Sequence, residues 1–290
     1  MFKKLSLAFT FLVILIIVFA LGFISAKVKP SGVKVGYIEI NGTINDQMSE
    51  SVSSAIRRAK ADPNIRGILL RVNSPGGSVG ASQEIFSTLM NYKESTGRPI
   101  IVSMGDVAAS GGYYVSIAGD KIFALPSTLT GSIGVISNIL DIHDLMKKIG
   151  VKEETLKTGE YKDTGSMFRS LTPQDKEYLM GLIGDAYGQF LYDVSTRRNI
   201  PLDKLKTIAD GRVFSGAKAK SLGLIDELGT LNDTIDYMRN LLGAKKITLE
   251  KLNNKNIFEE LVGTSSKTDV QQKNFLMYVL PFLKNDILKY

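Results

Sequence analysis

The feature that most restricts this chain is an alternation of strand-like and helix-like segments through its first half. Val33-Lys34-Val35-Gly36-Tyr37-Ile38-Glu39-Ile40 reads as a strand, followed by a helical pattern near Ser49 to Lys60. The cycle repeats with Gly67-Ile68-Leu69-Leu70-Arg71-Val72 and a helix near Ser82 to Tyr92, and the run Ile100-Ile101-Val102-Ser103-Met104 opens a third. Strands alternating with helices predict βα units around a parallel sheet covered on both faces. Functional sites in such sheets lie beyond the carboxyl ends of the strands. Asn73 and Ser110 both fall at such ends.

The third strand leads into Asp106-Val107-Ala108-Ala109-Ser110-Gly111-Gly112-Tyr113-Tyr114. A strand that stops at small residues, then presents a serine where a helix begins, exposes a hydroxyl and leaves the next N–H free for an oxyanion. Ser110 is therefore a candidate nucleophile. A plain capping serine is the rival reading. The second strand leads into Asn73-Ser74-Pro75-Gly76-Gly77-Ser78, where paired glycines let the backbone turn N–H groups into a cleft. This turn lacks the lysine and terminal Ser/Thr of a nucleotide-binding loop. It would supply a second oxyanion N–H beside that of Gly111, with Gly77 preferred over Gly76.

A serine needs a base, and composition narrows the choice. With no cysteine in 290 residues, thiol nucleophiles, disulfides and thiolate metal sites are excluded. The single histidine, His143, lies between Asp141 and Asp144 at the start of a helical pattern and reads as a solvated surface residue, although it could complete a Ser-His-Asp triad. The other neutral base is lysine. Its ordinary pKa of ~10.4 leaves roughly one molecule in 2,500 uncharged at pH 7, so the amine must be desolvated. Spacing alone does not choose among Lys152, Lys157 and Lys162. No acidic cluster has metal-ligand spacing, and the scheme needs no cofactor.

Taken together, these blocks resemble the signal peptide peptidase A family in its short, membrane-anchored form. The similarity rests on Asn73 to Ser78, Ala109 to Tyr114, Thr130-Gly131-Ser132-Ile133-Gly134-Val135, Tyr161-Lys162-Asp163 and Asp210-Gly211-Arg212-Val213-Phe214-Ser215-Gly216, in that order. The resemblance implies a Clp-protease/crotonase-like α/β fold and a Ser-Lys peptidase that degrades remnant signal peptides. It implies Ser110 as nucleophile, Lys162 as general base and Ser132 as the hydroxyl that orients the lysine. Oxyanion donors would be Gly111 and the Gly76-Gly77 turn. It also implies a homo-oligomer whose neighbouring subunits build each site jointly. A related protease specific for one membrane partner, and a non-catalytic crotonase-like scaffold, are the alternatives. Asp106 and Asp163 receive no role.

The remainder sets the surroundings. From Leu5 to Ala26 the chain carries no charge, a run of roughly 33 Å as a helix, enough to cross a bilayer. A cleaved export signal is the rival; either reading puts the catalytic domain on the extracytoplasmic side of the cell membrane. The expected layout is an anchor and link over 1–29, a peptidase domain over 30–250 and a linker with an apolar tail over 251–290. An excess of 36 basic over 29 acidic residues is spread along the chain, which suits an anionic membrane surface and gives no nucleic-acid signature. Thr172-Pro173-Gln174-Asp175 predicts the start of a long helix to about Arg197, and Arg212 is expected in a surface salt bridge.

Overall fold

A computed structural model describes residues 32–253. The expected membrane anchor at 5–26 and the apolar tail at 275–283 lie outside the described residues, and among the described residues no helix is long and apolar enough to cross a membrane. The elements follow the alternation read from sequence. Strand β1 (Val33–Asn41), helix α1 (Asp46–Ala61), β2 (Ile65–Ser74), α2 (Val79–Thr96) and β3 (Ile100–Ala109) come first. Helix α3 (Gly111–Ser116), β4 (Lys121–Ala124) and β5 (Leu129–Gly131) follow. Residues 132–172 hold only the short α4 (His143–Ile149) and a 3-10 turn at Glu160–Asp163. Helices α5 (Pro173–Arg198), α6 (Leu202–Lys206), α7 (Gly216–Ser221) and α8 (Leu231–Leu241) then alternate with β6 (Val213–Ser215), β7 (Glu227–Leu228) and β8 (Ile247–Lys251).

The sheet runs β6-β5-β3-β2-β1-β8, with β4 paired to β3 and β7 to β4. Every pairing is parallel except that of β5 with β6. Parallel strands need crossover helices, and these bury both faces of the sheet, which is why β2 and β3 are almost continuously apolar. One face carries Ile38, Ile40, Leu70, Val72, Val102 and Met104, packed with α1, α2 and the last turns of α5. The other carries Val35, Leu69, Ile101 and Phe123 against Met238 of α8. Each such aliphatic side chain stabilises the fold by ~1.5–3 kcal/mol relative to exposure.

Strand β3 is shared by two partners, and that sharing shapes the site. Its first half pairs with β4 at Ile101 to Ser103, its second with β5 at Val107 to Ala109. Between them Thr128 Oγ1 donates to the Gly105 carbonyl at 2.7 Å, so that carbonyl keeps a partner where the strand changes neighbours. On the other side of β3 the register with β2 slips between Val72 and Ser74, and Asn73 fills the irregularity by accepting the Val107 N–H at 3.2 Å. Asn73, placed at a strand end by its sequence, thus serves the sheet.

Candidate active site

Ser110 occupies the single residue between β3 and α3, with φ 52° and ψ −120°. A non-glycine residue with positive φ is strained by ~1–3 kcal/mol and persists only when its surroundings hold it. Here the Ser110 N–H donates to Gly131 O at 2.9 Å, and the Tyr114 N–H donates to Ser110 O at 2.9 Å. The turn lifts the side chain out of the strand direction. Although Ser110 stands at the N-cap position, its hydroxyl makes no capping hydrogen bond. It is half-buried and opens into a cleft.

The glycines around it approach each other too closely for any side chain. Gly76 has φ +101°, and a Cβ there would lie 2.7 Å from Gly111 N and 2.8 Å from Ser110 Cβ. At Gly77 a Cβ would lie 2.0 Å from Ile44 O, because Ile44 N–H donates to Gly76 O at 2.9 Å and Ser78 N–H to Ile44 O at 2.8 Å. These hydrogen bonds leave the Gly77 N–H unspent on Ile44, and Gly77 N lies close to Gly111, where a Cβ would stand 3.3 Å from it. The Gly76 N–H is already committed to Ser74 Oγ at 3.1 Å. Of the paired glycines, Gly77 therefore has the open N–H, beside that of Gly111 in the first turn of α3.

Ser132 is brought alongside. The β3 to β5 register ends at Ala109 opposite Gly131, so Ser110 and Ser132 leave adjoining strands at the same level, at strand spacing of ~4.8 Å. Ser132 also has positive φ, 50°, and its N–H donates to Arg212 O at 2.9 Å. Gly211 N–H closes the same turn on Ile133 O at 3.1 Å. The Asp210 to Gly216 block thus acts through its backbone, holding the Ser132 turn, while the Arg212 guanidinium pairs with Asp210 at the surface as expected.

Lys162 lies elsewhere in the protomer. It sits on the exposed 3-10 turn and does not line the cleft over Ser110. Among the described residues no lysine lines the cleft beside Ser110. His143 is also outside the cleft, its ring Nδ1–H donating to Phe168 O at 2.9 Å on an exposed stretch. The cleft is open to solvent, about 340 Å³ including its open mouth, and is walled by Val79, Tyr114, Val135, Ala186 and Phe190 beside Gly77 and Ser110. Tyr114 packs between Phe86 and Phe190, both ring centroids 4.9 Å away, and its hydroxyl donates to the Asp193 carboxylate. Burial and that carboxylate push the phenol well above its ordinary pKa. These wall residues come from α2, α3, α5 and the segment after Ser132, a convergence that no single sequence motif announces.

The model for Peptidase family S49 matches residues 92–245, and the Clp protease model matches residues 32–131. A Synechocystis protein provisionally named a protease is 36% identical over 83% of this chain and 87% of its own length. An Enterococcus faecium protein provisionally named signal peptide peptidase SppA is 34% identical over 75% of this chain and 65% of its own. Serine protease SPPA, chloroplastic, of Arabidopsis thaliana is 36% identical over 71% of this chain and 31% of its own. The chain thus spans most of the first relative but less than two thirds of each of the other two.

Proposed function

The chain belongs to peptidase family S49, and from that premise we propose that it is a membrane-tethered serine endopeptidase acting on remnant signal peptides through Ser110 and Lys162. The observation that carries this reading is the junction at Ser110. A strained, uncapped serine ends the central strand, with the uncommitted N–H groups of Gly77 and Gly111 beside it. Ser110 Oγ attacks the peptide carbonyl, and those N–H groups receive the oxyanion. Neutral Lys162 takes the serine proton and returns it to the leaving amine. Water then hydrolyses the acyl-enzyme by the same route in reverse. Ser132 orients the amine.

Since Lys162 is exposed in the protomer, the reading requires a neighbouring copy to bring it to Ser110 and to exclude water from the amine, which lowers its pKa. Apolar side chains left in solvent support such an assembly. Ile136 is 83% exposed, Leu156 92% and Met180 63%, all on the segment that carries Lys162 or on the helix after it. Monomers seldom leave so many large aliphatic groups uncovered in one region. The cleft, walled by aliphatic and aromatic groups, suits the apolar core of a signal peptide, and the uncharged run at 5–26 would hold the enzyme where such fragments are released.

The test is hydrolysis of a synthetic signal-peptide core by the full chain in detergent, together with labelling by a fluorophosphonate. Ser110→Ala and Lys162→Ala are expected to abolish turnover without unfolding the protein, and Ser110→Ala to abolish labelling. His143→Ala should leave turnover nearly unchanged. Turnover surviving in Lys162→Ala would remove the proposed base, and absence of labelling in the unaltered protein would favour a non-catalytic scaffold.

A further inference from the structure

Lys162 lies in a stretch with little regular structure, yet both of its chain neighbours are fastened to one helix. Tyr161 stacks on Tyr178 with ring centroids 5.0 Å apart. Asp163 accepts hydrogen bonds from Arg169 Nε at 2.9 Å and Nη2 at 2.8 Å, a fork-to-carboxylate pairing that fixes angle as well as distance. The same guanidinium reaches Asp175 through Nη1 at 2.5 Å and Nη2 at 3.1 Å. Asp175 and Tyr178 stand three residues apart on α5, on one face of the helix. Arg169 therefore ties the lysine-bearing turn to the beginning of a 26-residue helix.

Helix capping does not account for this arrangement. Thr172 and Asp175 form a reciprocal capping box, and Asp175 also accepts from Thr164 Oγ1 at 2.6 Å. Helix α8 begins with the same box, Thr230 and Asp233, and no arginine bridges it to another carboxylate. What the box at α5 has in addition is a link through Arg169 to Asp163. The charged groups facing Asp163 are Lys157, whose Nζ donates to it at 2.8 Å, and Arg169 from the loop, with Asp175 from α5 behind the guanidinium. Two cations and two carboxylates balance. The hydrogen bonds from Arg169 hold both acids below the usual carboxylate range.

We propose that Arg169 is a positioning residue for the peptidase reaction: it sets the direction from which Lys162 reaches the serine and keeps the neighbouring Asp163 charge engaged. The second effect matters because a free carboxylate beside the lysine would stabilise its ammonium form, the opposite of what a base requires. This role rests on the Ser110 and Lys162 reading above.

The experiment compares the full chain with Arg169→Gln, Arg169→Lys, Asp163→Asn and Lys162→Ala, measuring kcat and KM across pH on a fluorogenic apolar peptide, with assembly and thermal unfolding alongside. Arg169→Gln is expected to lower kcat by about ten- to a hundred-fold with KM little changed, as for a misdirected group. The acid limb of its profile should move to higher pH. Arg169→Lys should restore the limb while recovering only part of kcat. Asp163→Asn should move the limb the other way, to lower pH, a pair of opposed shifts that loss of folding does not produce. An inactive Lys162→Ala combined with an unaltered profile in Arg169→Gln and Asp163→Asn would overturn this role alone. Losses of kcat that track loss of folded or assembled protein, with the limb unmoved, would overturn it too. Full turnover in Lys162→Ala would overturn both this role and the reading beneath it.

Discussion

Gly77→Ala probes both the packing of the Gly76-Gly77 turn and its proposed oxyanion chemistry. The added Cβ would stand 2.0 Å from Ile44 O and 2.8 Å from Ile44 N, where real contacts begin at 3.0 Å. Both neighbours are backbone, so the turn itself must move by about an ångström. That displacement breaks or stretches the two hydrogen bonds joining Ile44 to Gly76 and Ser78, at a cost of about 2 kcal/mol for two bonds of ordinary worth. It also carries the Gly77 N–H off its aim. Loss of one oxyanion donor costs ~2.7–4 kcal/mol in the transition state, roughly a hundred- to a thousand-fold in kcat. Gly80→Ala is the matched control. Nothing lies within 4 Å of a Cβ there, and the residue is in the first turns of α2, so alanine should raise stability by about 0.5–1 kcal/mol with kcat intact. Denaturant unfolding and peptide turnover on both variants provide the readout. If Gly77→Ala loses stability yet turns over within about threefold of the parent protein, against the fold-loss expected for an oxyanion donor, the N–H at 77 is not a donor. An alanine at 77 as stable as the parent would refute the packing argument itself.

Two further outcomes follow from buried groups. Tyr113 is fully buried and its hydroxyl donates to Leu224 O at 2.9 Å; Tyr113→Phe leaves that carbonyl unpaired and should lower unfolding free energy by ~1–3 kcal/mol in denaturant titration. Asp163 and Asp175 have folded-state pKa values held below the ordinary value by Arg169. Their contribution is therefore present above ~3.9 and lost as pH falls below it. Amide protection factors in residues 157–175, taken relative to the intrinsic exchange rate at each pH, should hold at pH 5 and fall only in that acid window; protection already lost at pH 5 would contradict the ion network.

Much of this arrangement is legible in the sequence because it follows from local rules. Val33 to Ile40, Gly67 to Val72 and Ile100 to Met104 are largely apolar runs of strand length, and each is found within a longer strand, Val33–Asn41, Ile65–Ser74 and Ile100–Ala109. Thr172, Pro173 and Asp175 announce a helix start and form a capping box. The Gly76-Gly77 turn and Ser110 meet because they end adjacent parallel strands, a consequence of topology more than of spacing. Long-range matters are hidden. Strands β4, β5, β7 and β8 are too short, or too unremarkable in composition, to stand out, and β5 matters because it carries Ser132 to Ser110. The cleft walls Ala186 and Phe190 are ordinary members of a helical pattern until α5 is laid over α3. Nothing in the order of residues ties Arg169 to Asp163 and Asp175, since a salt bridge across a loop has no periodicity. The burial that the proposed role of Lys162 calls for is not found in the single chain, where the residue is exposed.

The backbone at Ser110 leaves an imprint on how this protein would drift under laboratory evolution. Its φ of 52° is territory where glycine rests without strain, so the residue proposed as the nucleophile is also one that the fold alone would gladly exchange. A screen that rewards only survival of heating should enrich glycine at 110 and, on the proposed role of Ser110, discard hydrolysis in doing so. Endurance and turnover pull against each other at that position, and both must be selected together.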